Sequence, residues 1–251
     1  MNYEINPDYE NLKPLIENIE EHFQESGTVL YDQRNVIRVV NYKGNEYVVK
    51  AFKVPNIINR FAYRYLRPSK AKRSYLYSLK IGKELSPEPV AYIEETEYFL
   101  LAKSYYISRY FKYDHTIHEV LIDKQLTNRE KILQDFADFT YKLHELEILH
   151  HDYSHGNILI KKSDKPTTEM TGYEFKIIDI NRMQFKKLDL KTRLENFARI
   201  KANDDDMSII ITQYAKQIDM PVEGLLKDAK FYRDDFYQKR ARNHKLRGKK
   251  Q

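Results

Sequence analysis

ILHHDYSHGNILI, residues 148–160, reads as the end of a helix, a short polar loop and then a buried strand at Ile158, Leu159 and Ile160. Inside the loop, Asp152 and Asn157 stand five apart, with His150 two residues before the Asp. Phosphoryl transfer to a hydroxyl needs this pair of groups: a carboxylate to accept the hydroxyl proton, and an amide oxygen placed to hold magnesium. Further on, Phe175–Asn181 (FKIIDIN) is a second apolar strand that delivers Asp179 at its carboxyl end, where a second metal-binding carboxylate belongs. The spacing by itself carries little. Its coupling to two buried strands, each next to an oxygen-bearing side chain, carries the reading.

The rest of the composition sets the frame. A chain of 251 residues, 41% hydrophobic and 32% charged, buries a real core and has the balance of a soluble globular protein. No apolar run approaches the eighteen or so residues of a membrane span. The opening MNYEINPDYE is acidic and polar, unlike a secretory signal, so the expected location is the cytoplasm. Cysteine is absent, which excludes disulfides, thiol catalysis and thiolate metal sites.

The net charge of +6 is unevenly spread. Between Tyr47 and Lys83 there is no acid, yet Lys50, Lys53, Arg60, Arg64, Arg67, Lys70, Lys72, Arg73, Lys80 and Lys83 all fall there. A second basic run, KRARNHKLRGKK, closes the chain at Lys239–Lys250. Such blocks draw anionic partners: phosphorylated substrates, acidic lipid head groups or nucleic acid. The plain reading is a solvated helix face plus a frayed tail; it suffices for the second block, whereas ten cations with no compensating acid favour an anionic partner for the first.

In chain order, a short helix is expected near Asn11–Phe23. From Thr28 the period becomes two: TVLYD, NVIRVVNY and EYVVKAF form an antiparallel meander, with a hairpin turn at Lys43-Gly44-Asn45. Lys50 lies in its third strand, in a YVVK run with the form of the strand-three lysine motif of protein kinases, whose ammonium reaches nucleotide phosphates. A lysine on a strand's solvent face is the commoner case, but its place ahead of the Asp152 loop favours the phosphate role. The turn Asp32–Asn35 has no glycine, so cover over the phosphates falls to other backbone or to Arg34.

Pro68–Leu85 reads as a basic helix ended by Ser-Pro-Glu-Pro. A kinase pairs its strand-three lysine with a glutamate from this helix; here Leu76 stands at the expected position and Glu84 is the nearest acid. Either Glu84 substitutes, or another acid holds Lys50, or nucleotide binds poorly. Val90–Glu95 and Tyr98–Phe111 complete a five-stranded sheet and run into a hinge, where backbone groups near Ser108 and Tyr110 are placed to hold an adenine edge. A short helix at Thr116–Leu121 follows, and Thr127-x-x-Glu130 is a capping box for a long helix with an Ile132, Phe136, Phe139, Leu143, Leu146 stripe. Lys161–Gly172 is a polar excursion. Three helices close the chain, around Leu190–Phe197, Met207–Ile218 and Val222–Phe236, with Asp204, Asp205 and Asp206 suited to a helix N-terminus.

The fold expected is therefore α+β and two-lobed in the protein-kinase-like manner. Residues 1–110 would form a nucleotide-binding lobe with a five-stranded antiparallel sheet and a helix. Residues 111–251 would form a mainly helical catalytic lobe with a basic tail. In that arrangement Asp152 is the general base, Asn157 and Asp179 are the magnesium ligands, and Lys50 holds the non-transferred phosphates of ATP. His150 orients the loop. His151 replaces the arginine with which regulated protein kinases read a phosphorylated activation loop, and Ser154 and His155 sit where a phosphate-facing lysine often lies. No regular spacing of His144, His150, His151 and His155 supports a zinc site.

SPEPVAYIEE, SYYISRYF, LHHDYSHGNILI and FKIIDINRMQF, in that order, resemble the lipopolysaccharide core kinases of Gram-negative bacteria, the Kdo/WaaP family, over about residues 28–200. The resemblance implies ATP- and Mg2+-dependent phosphorylation of a sugar hydroxyl, Kdo or heptose, on the inner core of the lipid A-linked glycan. It places the protein at the cytoplasmic face of the inner membrane, near an anionic surface. It maps the catalytic Asp to Asp152, the metal ligands to Asn157 and Asp179, and the nucleotide lysine to Lys50. Three other readings stand beside it: a kinase for a protein or small-metabolite acceptor, a nucleotide-binding pseudokinase, and a nucleic-acid binder. The last has no recognition motif behind it, and nucleic acid is not an expected partner.

Overall fold

The computed structural model describes residues 1–25, 27–33, 35–163 and 172–248. Arg34, most of the Lys161–Gly172 excursion and the last residues of the basic tail lie outside them. The chain divides into two compact units, Met1–Lys112 with Asp179–Asn181, and Tyr113–Ile178 with Arg182–Gln251. The boundary expected at 110 differs by two residues and carries no return of Asp179–Asn181 to the first unit.

The first unit opens with strand β1 (Asn2–Ile5), a 3-10 turn at Pro7–Leu12, and two short helices, α1 (Lys13–Glu17) and α2 (Ile19–Glu25). The single helix expected at Asn11–Phe23 is thus broken at Asn18, where φ is −114° and ψ 29°. Strands β2 (Thr28–Asp32), β3 (Asn35–Tyr42) and β4 (Asn45–Phe52) follow as a meander. Its β3–β4 turn puts Lys43 and Gly44 both at positive φ, the two-residue hairpin geometry. Then come helices α3 (Ile57–Tyr65) and α4 (Lys70–Ile81), and strands β5 (Pro89–Glu97) and β6 (Leu100–Arg109). The sheet is antiparallel and has six strands rather than five, in the order β1-β5-β6-β4-β3-β2. The sixth is the N-terminal NYEI, whose four residues are too few to show a period; it forms because the edge of β5 is there to pair with. Helix α3 was also not expected, since its apolar residues do not point to a core.

Strand parity sorts the side chains onto two faces. Leu12, Leu15, Ile16, Ile19 and Phe23 pack on Val40, Val49, Ile93 and Ile107 to make the main core. On the other face, Ala71 and Tyr75 of α4 meet Phe52 and Tyr92, with Tyr106 against them. Lys50, two residues before Phe52, belongs to this second face, and its ammonium lies 5.3 Å from the Phe52 ring centroid. Helix α4 is shorter than the expected Pro68–Leu85, because Ser69 caps its start and Gly82 at φ 80° ends it.

The second unit begins with β7 (His115–Thr116) and α5 (Ile117–Ile122). The long helix α6 (Arg129–Glu145) follows, then the short strand β8 (Ile148–His150). Ile148 and Leu149 are therefore strand rather than helix end, because they pair with β11 (Met183–Phe185). Strands β9 (Ile158–Lys162) and β10 (Tyr173–Ile177) join β7 in a three-stranded sheet. The capping box forms at Thr116 and Glu119 of α5; α6 instead starts from Asn128 in the left-handed region, with no side-chain cap from Thr127. Helices α7 (Leu190–Phe197), α8 (Asp204–Gln217) and α9 (Val222–Gly248) complete the unit. Basic residues expected as a frayed tail continue α9 to Gly248. Buried Asp206 at the start of α8 takes ion pairs from Lys124 at 2.8 Å and Arg129 at 2.6 Å, tying α8 to the foot of α6.

Among the glycines, Gly27 is held at φ +128°, and a β-carbon there would sit 2.1 Å from the Val39 carbonyl oxygen. Backbone cannot yield as a side chain can, so Gly27→Ala should destabilise the protein by more than about 1 kcal/mol in urea unfolding. An unchanged midpoint would show that β2 and β3 tolerate separation at this point.

Candidate active site

Lys50 and Asp179 meet. The ammonium of Lys50 lies 2.7 Å from Asp179 Oδ1, with the lysine side chain 11% and the carboxylate 30% exposed. Asp179 follows β10 by two residues and sits at φ 56°, in the left-handed region that Asp enters more readily than most side chains. Asn181 helps to hold the carboxylate: its side-chain amide donates to the same Oδ1 at 2.5 Å. No acid of α4 takes part in this ion pair. Leu76 faces solvent, Glu84 is exposed in the turn after the helix, and Asp179 is the acid that holds Lys50. Of the three possibilities raised by the missing helix glutamate, the structure adopts the second.

The loop that carries Asp152 and Asn157 is fixed by its own histidine. The backbone N–H of Asp152 donates to His150 Nδ1 at 3.0 Å, and His150 Nε2 lies 3.0 Å from the carbonyl oxygen of Ile178. One nitrogen accepts and the other donates, so the ring is the neutral Nε2–H tautomer. Asn157 turns its amide nitrogen onto the Asp152 carbonyl at 2.9 Å, which leaves its side-chain oxygen as the end aimed elsewhere. Its own carbonyl accepts from the N–H of Ile178 at 2.9 Å. Both polar groups of Ile178, the residue before Asp179, are thereby held by the loop.

Behind the loop stands a buried relay. Asn196 of α7 donates its amide to the His150 carbonyl at 3.1 Å. Its oxygen, 3.2 Å from His144 Nε2, accepts from that ring, so His144 Nδ1 is left to accept from the Tyr214 hydroxyl at 2.8 Å. Both nitrogens of His144 and both of His150 are committed in this way, which removes them as metal ligands. Tyr153, directly after Asp152, is fully buried, stacks on Phe136 and shares a 2.8 Å hydrogen bond with Thr140. Neither Tyr153 nor Asn196 stood out in the sequence, because a lone Tyr or Asn carries no periodic signal. The ring of His155 stacks on His118 with centroids 4.3 Å apart.

The remaining candidates are less free than expected. Ser108 is buried in β6, with its hydroxyl engaged by the Tyr106 phenol. The N–H of Tyr110 is donated to the Glu46 carbonyl at 3.0 Å, so a purine edge would have to meet other backbone groups. For magnesium, the donor chemistry fits: a carboxylate at Asp179 and an amide oxygen at Asn157 are hard ligands of the kind that ion takes, with phosphate and water oxygens completing its shell. Among the described residues there is no group of three or more His, Cys, Asp or Glu that could hold a metal unaided.

An antiparallel sheet with flanking helices, followed by a helical unit that presents an H-x-D-x-x-x-x-N loop, defines an α+β fold of the protein-kinase-like class. A solved structure described as WaaP in complex with acyl carrier protein matches the chain with a TM-score of 0.59 at 16% identity, covering 95% of this chain and 98% of that one. A weaker likeness, TM-score 0.43 at 14% identity, covers 74% of this chain and 61% of a chain of the yeast RNA polymerase II CTD kinase complex. No curated protein sequence matches the chain. The model of the lipopolysaccharide kinase (Kdo/WaaP) family matches residues 87–217, more than half of the chain and the whole stretch from Asp152 to Asp179. The chain belongs to that family. Membership implies phosphotransferase chemistry that uses ATP.

Burial holds the His144 imidazole down to about 4, and burial together with His118 and Lys201 does the same to His155. An unfolded histidine takes its proton near 6.5, so between about 6.5 and 4 the unfolded chain binds more protons. Stability should therefore fall as the pH is lowered through that window. Urea unfolding across the window should show the slope, and His144→Gln should reduce it by about one proton. An unaltered slope in the variant would mean that His144 is already protonated in the fold.

Proposed function

We propose that this chain transfers the terminal phosphoryl group of ATP to a sugar hydroxyl, Kdo or heptose, of the lipopolysaccharide inner core. The observation that carries the proposal is the family match across Asp152, Asn157 and Asp179, joined to the Lys50–Asp179 ion pair. The loose transition state of phosphoryl transfer asks little covalent chemistry of the protein and much alignment and charge compensation. Asp152 orients the acceptor hydroxyl and takes its proton. His150, by holding the Asp152 N–H, fixes the backbone from which that carboxylate projects. Lys50 grips the non-transferred phosphates, and Asp179 keeps its ammonium from swinging into solvent. Asn157 and Asp179 are the residues that would hold magnesium, whose charge offsets that of the phosphate oxygens when it is bound.

The test is the purified chain with ATP, magnesium and de-phosphorylated core glycan, read by mass spectrometry for the gain of one phosphate. Asp152→Ala should lower turnover by roughly 10²–10⁴ while leaving nucleotide binding in place. Asp179→Ala should lose magnesium-dependent nucleotide binding as well. Nucleotide binding without transfer to any acceptor would replace the proposal by a pseudokinase, and transfer to a protein or small metabolite alone would replace the acceptor.

A further inference from the structure

Helix α3 is built the wrong way round for a helix lying on a sheet. A surface helix normally turns its apolar stripe inward and its polar face to water. In α3, Ile57, Ile58 and Phe61, which share one side at helical spacing, are exposed, with Ile58 at 76%. The half-buried positions are Asn59, Arg60, Ala62 and Tyr63, so only part of the inward side is apolar. Arg60 is the reason the helix sits this way: its Nε donates to the Leu101 carbonyl at 2.8 Å and its guanidinium reaches the Glu97 carbonyl at 3.4 Å. Those two carbonyls flank the β5–β6 turn. The turn itself consists of Tyr98 and Phe99, both at positive φ and exposed by 87% and 81%. Asn and Gly are the residues that suit such a turn, so two aromatics there are held against backbone preference with their rings in water. The helix and the turn thus form one projecting apolar patch, latched together by Arg60.

The charge on the α3 side of the patch is positive, while β5 brings Glu94, Glu95 and Glu97 to the hairpin side. Lys53 and Arg67 flank α3 and are exposed, in the stretch from Tyr47 to Lys83 that contains no acid. Beside α3 a cavity of about 340 Å³ is lined by Arg67 and Lys72 as well as Tyr63 and Leu66, with Glu94 as its one acid. On the hairpin, Glu97 is the exposed carboxylate nearest the turn. Exposed apolar and aromatic side chains flanked on the helix side by Lys53, Arg67 and Lys72 suit the boundary between head groups and acyl chains of an anionic bilayer, where an apolar helix face sinks and the cations stay with the phosphates.

We propose that α3 and the Tyr98–Phe99 turn form a docking surface for an anionic phospholipid bilayer, with Arg67 and Lys72 receiving head-group phosphate. The surface rests on the proposed function only for its purpose, the delivery of a lipid-linked acceptor. Its test needs neither ATP nor sugar. Purified protein is floated with vesicles of phosphatidylcholine alone, or mixed with phosphatidylglycerol. The intact protein should float with the anionic vesicles about ten-fold better than with the neutral ones, and salt should weaken the binding. Ile58→Asp with Phe61→Asp should reduce flotation about ten-fold or more. Arg67→Gln with Lys72→Gln should reduce it several-fold and remove most of the salt effect. Tyr98→Asn with Phe99→Gly relieves the strained turn, so it should leave thermal stability equal or higher while flotation drops. Absence of flotation by the intact protein, equal flotation with both vesicle types, or unchanged flotation of the variants would overturn the proposal. So would capture of acyl carrier protein through these residues without vesicle binding. Loss of sugar phosphorylation with flotation intact would sink the acceptor assignment and leave the docking surface standing.

Discussion

A single neutral imidazole sets the geometry of the loop that carries Asp152 and Asn157. His150 accepts from the Asp152 N–H with one nitrogen and donates to the Ile178 carbonyl with the other. A charged ring has two donors and no acceptor, so protonation would set it against the Asp152 amide. The surroundings hold the ring in place. Its carbonyl is taken by Asn196, which is held by His144, which is held by Tyr214. Each member is buried, and a buried polar group left without its partner is costly, so the members of the relay support one another. The backbone directions of Asp152, Asn157 and Ile178 follow from it.

In the first unit the equivalent constraint is electrostatic. Lys50 is largely buried, and a buried ammonium needs a partner more than an exposed one does. Where a kinase-like fold ordinarily supplies a helix carboxylate, α4 brings to the sheet Ala71, Ser74, Tyr75 and Ser78, none of them an acid. The carboxylate comes instead from Asp179, a residue the fold returns to this unit from far along the chain. One side chain then serves both as counter-ion to the lysine and as candidate metal ligand. Nucleotide and magnesium together would redistribute that charge without leaving the lysine unpaired.

The strands of the meander, the long α6, the polar loop and the apolar strands that follow it were all legible, because each carries a period or a run that only one element type explains. Lys50 and Asp179 stood out for a related reason, their order and spacing along the chain, and the structure joins these two in an ion pair. Tyr153, Asn196 and Tyr214 did not, since their importance lies in hydrogen bonds over separations as long as seventy residues. The capping box shows the same limit on a smaller scale. Thr127-x-x-Glu130 and Thr116-x-x-Glu119 match the motif equally, and only the second forms.

The amino-acid order by itself determined the class of fold, the β-then-α succession and the residue types fit for phosphoryl transfer, because hydrophobic period and motif spacing are local quantities. Tertiary structure alone decided which acid holds Lys50, that NYEI becomes a strand, and that α3 shows its apolar side to solvent. Those outcomes are settled by what the distant chain offers as a partner: a carboxylate at 179, an open edge on β5, and the carbonyls of Glu97 and Leu101 for Arg60. No window along the sequence contains both halves of such a contact.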